Sequence, residues 1–309
     1  MGYKHKDLLG LSGLSKAEIL HFLDCADEFK ALNNQEIKKS DYLRGKTTIN
    51  AFFENSTRTR TSFEIAAKRL GADAVNFSAS SSSVNKGETL IDTIKNMAAM
   101  KSDIIVLRHP NSGAALLAAQ NTDACIVNAG DGMNEHPSQA LLDLYTIREN
   151  GKSLDKNTSV AIIGDIARSR VARSNIWAMK NFNMDVRLFG PAMMLPKDID
   201  VFGCKVAKNM DEACEGADVI MMLRIQLERG DADVAFPSSR EYCKFFGLNK
   251  YRANLAKPDA IILHPGPINR GIELNSDVAD SNRSVILNQV ENGVAIRMAI
   301  LSTLIKNRG

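Results

Sequence analysis

Residues 47–71 read TTINAFFENSTRTRTSFEIAAKRLG, and three local patterns follow one another in that stretch without a break. Thr47 to Phe53 is a short β-rich run, Glu54 to Arg60 is polar, and Thr61 to Gly71 has helical apolar spacing that stops at a glycine. A strand that passes at once into a helix is the first half of a βα unit. The alternation continues outward from it: Ala74 to Phe77, Asp103 to Leu107 and Ala124 to Val127 read as strands, with helical patterns between them. After a polar stretch, Arg148 to Thr158, it restarts with Val160 to Ile163, Val186 to Phe189, Val219 to Leu223 and Ala260 to Leu263. The fold class predicted is α/β in two domains, each a mostly parallel sheet flanked by helices, with the polar stretch as boundary. Leu11 to Leu32 and Val285 to Ile305 show helical spacing, so helices open and close the chain and are expected to pack across the domains. There is no fixed-period repeat, and the one low-complexity piece is the serine run Ser78 to Ser83.

The 309 residues suit two domains of ~150 residues each. Apolar residues at 44% and charged residues at 24% exclude the disordered, collagen-like and disulfide-scaffold classes. With 39 Lys and Arg against 36 Asp and Glu, the net charge of +3 leaves no broad basic face for nucleic acid, so any anion site is local. The five cysteines, Cys25, Cys125, Cys204, Cys214 and Cys243, are odd in number and form no C-x-x-C pair. Neither a zinc site nor a disulfide framework is signalled, and reduced thiols in the cytoplasm are expected. Met1 to Leu14 lacks a signal-peptide apolar stretch, and no segment reaches the ~20 apolar residues of a membrane span.

Ligands of open α/β sheets bind beyond the carboxyl ends of the strands, and here those positions are unusually polar. Three of the 5 histidines precede one of the 8 prolines (His109-Pro110, His136-Pro137, His264-Pro265), where chance placement gives roughly 0.1 such pair. Rigid turns explain any single pair; three together favour a shared cleft. In the opening stretch, Ser56-Thr57-Arg58-Thr59-Arg60 leads straight into a helix. Exposed N–H groups, hydroxyls and guanidinium groups there suit a phosphate by geometry and charge, the plain alternative being an N-cap with solvated arginines. A nucleotide cradle fits worse. Gly45-Lys46-Thr47 ends like a Walker A motif, but Ser40 holds the first glycine position and the triplet precedes a strand.

Phe53-x-x-Ser-Thr-Arg-Thr-Arg resembles the carbamoyl-phosphate signature of the aspartate and ornithine carbamoyltransferases, and His136-Pro137-Ser138-Gln139 is similar to their H-P-x-Q motif. Ser82 to Glu88, Arg224 to Arg229 and His264 to Gly271 (HPGPINRG) resemble the aspartate branch; the ornithine branch carries H-C-L-P, and no cysteine lies near His264. The resemblance runs from about Leu8 to Leu304. Two departures are Arg168, where many relatives have histidine, and Gly266, where some have leucine. Charge agrees with the aspartate branch, since a phosphate dianion and a dicarboxylate need cations that grip planar anions at two points. Arg170 and Arg224 stand at strand ends of the second half. An ornithine site needs an acid instead, for which Asp231 or Asp233 is available, while Glu228 and Arg229 are expected to pair locally.

The resemblance implies transfer of the carbamoyl group of carbamoyl phosphate to the amine of L-aspartate, for pyrimidine synthesis, with no metal and no cofactor. It implies that Ser56, Thr57, Arg58 and Thr59 hold the phosphate, with Arg108 bridging phosphate and carbonyl. Thr59, Arg108 and His136 polarise the carbonyl. Gln139 and the main-chain carbonyls of Pro265 and Gly266 bind the carbamoyl amide. Arg170, Arg224, Gln226 and Pro267 take aspartate, and Lys86 touches both substrates, with Ser82 beside it, or Ser81 or Ser83 in its place. For His136, hydrogen-bond donation is favoured over general-base work. The implied domains are 1–150 for carbamoyl phosphate, 151–290 for aspartate, and a C-terminal helix, 291–309, returning to the first. The loop Ser78 to Gly87 reads from composition as a flexible linker; the resemblance makes it an arm reaching the next subunit of a homotrimer with shared sites. A carbamoyltransferase for another amino acid, a non-catalytic phosphate-sensing subunit, and a regulatory or pathway-enzyme partner stay open.

Overall fold

In the computed structural model, residues 2–78, 87–225 and 238–308 are described. They divide into two compact units, residues 1–145 with 290–309, and residues 146–289.

The first unit is built on four parallel strands, β1 (Thr47–Phe52), β2 (Asp73–Ser78), β3 (Ile104–His109) and β4 (Cys125–Asp131), in the order β2-β1-β3-β4. β1, β3 and β4 are buried along most of their length because both faces are covered, as parallel sheets require, and they carry buried Thr48, Asn50, Asn128 and Asp131 among their apolar residues. The chain begins with α1 (Lys16–Asn33), and each crossover carries a helix: α2 (Thr57–Arg69), α3 (Leu90–Ala99) and α4 (Ala114–Ala119). Helix α5 (Pro137–Glu149) belongs to this unit as far as Tyr145. One core layer joins Ile49 and Ala51 of β1 to Ile94 and Met97 of α3, Leu107 of β3, and Ala115 and Ala118 of α4.

Helix α1 starts at Lys16, five residues after Leu11, where its apolar spacing begins. Ser15 caps it in a capping box with Glu18, while the N–H groups of Leu11 and Ser12 go to the buried Glu135 carboxylate at 2.7 and 3.1 Å. The segment around Leu8 instead pairs with β4, Leu8 N–H donating to Ile126 O at 2.9 Å.

The second unit has five parallel strands, β5 (Ser159–Ile163), β6 (Asp185–Phe189), β7 (Lys205–Val206), β8 (Val219–Met222) and β9 (Ile261–Leu263), in the order β7-β6-β5-β8-β9. The sequence shows no sign of β7, a two-residue exposed edge strand. The helices are α6 (Arg170–Lys180), α7 (Met210–Cys214), α8 (Ser239–Phe246), α9 (Lys250–Ala253) and α10 (Ser276–Ala279). Ile163, Ile220 and Met222 of the sheet pack with Leu248, Leu274 and Val278 in the core. The final helix, α11 (Ile286–Arg308), belongs to the second unit as far as Gln289 and to the first from Val290. Within the first unit it meets α1, where Lys30 Nζ donates to Asn292 Oδ1 at 2.8 Å.

Candidate active site

In each sheet the strand order reverses once, between β1 and β3 in the first unit and between β5 and β8 in the second. In open α/β sheets, ligands bind outside the carboxyl ends of the strands at such a reversal, so the loops that diverge there are the place to look for a site.

In the first unit, the loop after β1 enters α2 with Ser56 as N-cap, and the Ser56 hydroxyl makes no capping bond. The first turn has no acidic residue; it carries Arg58, with Arg60 just beyond. Other helices of the chain follow the opposite rule: α1 and α8 have Ser–Glu capping boxes, and Thr89 of α3 accepts from Asp92 N–H. Cations at the positive end of a helix dipole are mutually unfavourable until an anion arrives. Arg58 and Thr57 are exposed and Thr59 is buried. Arg108, near the end of β3, lies in register with Phe52 of β1, and its main-chain oxygen accepts from Phe53 N–H at 2.8 Å. Its Nε sits 3.1 Å from Glu54 Oε2, which holds the guanidinium beside the loop.

The loop after β4 is fixed from beneath. The buried Asp131 carboxylate accepts from Gly113 N–H at 2.7 Å, Asn128 Nδ2 at 2.8 Å and Glu135 N–H at 3.1 Å. Those bonds fix the turn that delivers His136 and, through Pro137 as first helical residue, Ser138 and Gln139 to the start of α5. His136, Ser138 and Gln139 are all buried.

In the second unit, Arg170 opens α6 after β5 and is buried, next to Ser169, whose hydroxyl accepts from Ala172 N–H at 3.1 Å. Arg168 pairs with Asp165 at 3.1 Å. Arg224, half-buried, follows β8 on the adjacent strand end. After β9 come Pro265, Gly266 and Pro267, with a cis bond between the last two. The fully buried His264–Glu273 contact, 3.1 Å, anchors this loop. Glu273 also accepts from Asn269 N–H at 2.6 Å, and Asn269 Nδ2 reaches Ile225 O at 3.2 Å, tying it to the loop that carries Arg224.

The first unit thus gathers Ser56, Thr57, Arg58, Thr59, Arg108, His136 and Gln139 on neighbouring strand ends, and the second gathers Arg170, Arg224, Pro265, Gly266 and Pro267. Ser82, Lys86 and Gln226 lie outside the described residues, as do Ser81, Ser83, Glu228, Arg229, Asp231 and Asp233.

Two of the three His-Pro pairs take the plainer role of turns. His109 Nδ1 accepts from Asn111 N–H at 3.0 Å and His264 Nδ1 from Gly266 N–H at 2.7 Å, so each imidazole stabilises the turn by accepting the N–H of the residue after proline. Supports that the sequence reading missed are Glu54, Asp131, Glu135, Glu273 and, on the buried faces of α5 and α11, Asp143 and Arg297. Each of the last two is a lone charge in an apolar run, LLDLY and AIRMA, which was the available signal.

Residues 6–149 match the carbamoyl-P binding domain of the aspartate/ornithine carbamoyltransferases, and residues 156–304 match their Asp/Orn binding domain. The chain is 77% identical over 309 residues to an aspartate carbamoyltransferase catalytic subunit of Campylobacter curvus, covering 100% of both chains. The aspartate transcarbamoylase of Trypanosoma cruzi, solved with carbamoyl aspartate and phosphate, superposes with a TM-score of 0.87 at 33% identity, covering 97% of this chain and 96% of that one. The ornithine carbamoyltransferase of Thermus thermophilus reaches 0.85 at 26% identity, covering 97% and 99%. With both halves matched in order and the two families of strand-end loops in place, the chain belongs to the aspartate/ornithine carbamoyltransferase family.

Proposed function

We infer that the chain transfers the carbamoyl group of carbamoyl phosphate to the α-amine of L-aspartate, giving N-carbamoyl-L-aspartate and phosphate, a step of pyrimidine synthesis. The observation that carries this reading is the start of α2, a helix N-terminus with cations in place of the usual acid, flanked by Arg108 on the neighbouring strand end. The choice of aspartate over ornithine rests on Arg170 and Arg224 at strand ends of the second unit and on full-length relatives such as the Campylobacter curvus subunit.

Ser56, Thr57, Arg58 and Thr59 hold the phosphate, and Arg108 spans phosphate and carbonyl oxygen. Arg170 and Arg224, with Gln226 and Pro267, take the carboxylates of aspartate. The amine attacks the carbamoyl carbon directly, and the oxygen that becomes negative is met by Thr59, Arg108 and His136, which are placed before the reaction begins. The C–O bond to phosphate then breaks, and the departing phosphate takes the amine proton. Gln139, with the main-chain oxygens of Pro265 and Gly266, orients the carbamoyl NH2. Residues 1–150 serve carbamoyl phosphate and 151–290 serve aspartate, with 291–309 returning to the first domain. The protein works in the cytoplasm as a homotrimer in which Ser82 and Lys86 complete the neighbouring subunit's site, and it is open to a regulatory or pathway-enzyme partner. Among the described residues no helix is long and apolar enough to cross a membrane.

Phosphate release from carbamoyl phosphate tests the reading. It is expected to depend on L-aspartate, with one carbamoyl aspartate formed per phosphate; release that is independent of aspartate would contradict it.

A further inference from the structure

On α5, Gln139 and Asp143 stand one turn apart, both buried, and Gln139 Nε2 donates to Asp143 Oδ1 at 2.9 Å. A carboxylate offers only acceptors, so it fixes which half of the amide faces it. The NH2 is held toward Asp143 and the Oε1 acceptor is turned to the opposite side. A carbamoyl NH2 group presents only donors, and an amide with Oε1 available matches it, whereas the flipped amide opposes it N–H against N–H.

A second observation comes from α11. Arg297 is buried, its guanidinium carbon lies 5.0 Å from the centre of the Phe63 ring on α2, and its Nε has no hydrogen-bond partner among the described residues. The guanidinium folds back over Gly293, where an added Cβ would meet Arg297 Nη1 at 2.4 Å. Glycine inside a helix is less favourable than alanine, so the helix gives up stability at the position that makes room for this cation. Burial opposes its charge, Asp143 favours it and Arg58 opposes it; the resulting value of about 9 leaves it charged at neutral pH.

We propose that Asp143, coupled electrostatically to the buried Arg297, is a positioning residue that locks the Gln139 amide with Oε1 available, so that the site selects a carbamoyl over an acetyl group. This deepens the functional reading above and rests on it.

The test is calorimetric binding of carbamoyl phosphate, acetyl phosphate and inorganic phosphate to the full chain. The wild type is expected to prefer carbamoyl over acetyl phosphate at least tenfold; no preference for carbamoyl phosphate over either probe would sink the functional reading itself. Asp143→Asn, isosteric but able to donate or accept, should lose about tenfold of that preference, one hydrogen bond's worth, while binding inorganic phosphate within twofold of wild type. Retention of the full preference in Asp143→Asn overturns the proposal. Should Asp143→Asn also lose inorganic phosphate, the decision passes to Gly293→Ala, which displaces Arg297 without touching Asp143. Its preference is expected to fall severalfold, and an unchanged preference there overturns the proposal equally.

Discussion

Arg58 stands in the first turn of α2, a turn that itself contains no acidic residue, an arrangement that weakens the helix and strengthens its hold on an anion. Arg58→Ala should therefore divide stability from binding. Losing a charge-assisted hydrogen bond of about 1.5–3 kcal/mol lowers affinity for carbamoyl phosphate roughly 10- to 150-fold, with the melting temperature unchanged or slightly raised. Calorimetry and thermal denaturation read the two effects, and a variant that melts early but binds normally would make Arg58 a structural residue. This loop was legible in the sequence because hydroxyls and arginines directly between a strand and a helix have few other uses. His109 and His264 were misleading for a comparable reason: a histidine before proline reads alike whether its ring faces a ligand or accepts the N–H two residues on. Glu135 acts on Leu11 and Ser12, which only the fold brings near, whereas Asp143 meets Gln139 one helical turn away and showed in the sequence only as a lone charge in an apolar run.

The sheets were legible as elements because strands covered on both faces are short apolar runs, and eight of them were found to within a few residues, apart from β4, which runs on to Asp131. β7 was not, since an exposed Lys-Val pair carries no pattern. The start of α1 was written in the sequence as Ser15-x-x-Glu18, but leucines at 11 and 14 prolonged the apolar spacing beyond it. At the end of β5 the decisive residue is Gly164, with φ of +134° and an added Cβ only 2.9 Å from Leu223 Cβ, next to Arg224. Gly164→Ala forces a non-glycine residue into that backbone region at a cost of roughly 1–3 kcal/mol. The variant should melt several degrees lower and bind aspartate more weakly, with phosphate affinity preserved. Wild-type melting and aspartate affinity would show that these strand ends tolerate separation.

For the whole molecule, the restart of the alternation after Thr158 discloses two halves, while the apolar pattern of α11 does not say which core it joins; the structure assigns Val290 onward to the first unit. Burial raises the Cys125 thiol to about 11 and Cys214 to about 12 from the ordinary 9.0. Between pH 9 and 12 the folded chain keeps protons that the unfolded chain has lost, so stability falls as pH rises through that window, with no slope from these thiols below it. Urea unfolding at pH 8 and 10.5 should show the fall, and Cys214→Ala should reduce it; an equal fall in that variant would exclude the thiol as its source. The trimer proposal has its own test, in which Lys86→Gln and Arg58→Ala chains, each inactive, are mixed after mild dissociation. A site shared between subunits leaves one intact site in every mixed trimer and restores activity, whereas silence after demonstrated exchange rejects sharing. The most direct test of the account is a single competition, with 13C-carbamoyl phosphate, equal L-aspartate and L-ornithine, and products read by NMR. The account predicts label in carbamoyl aspartate alone, abolished by Arg224→Ala; label in citrulline, or in neither product, would contradict it.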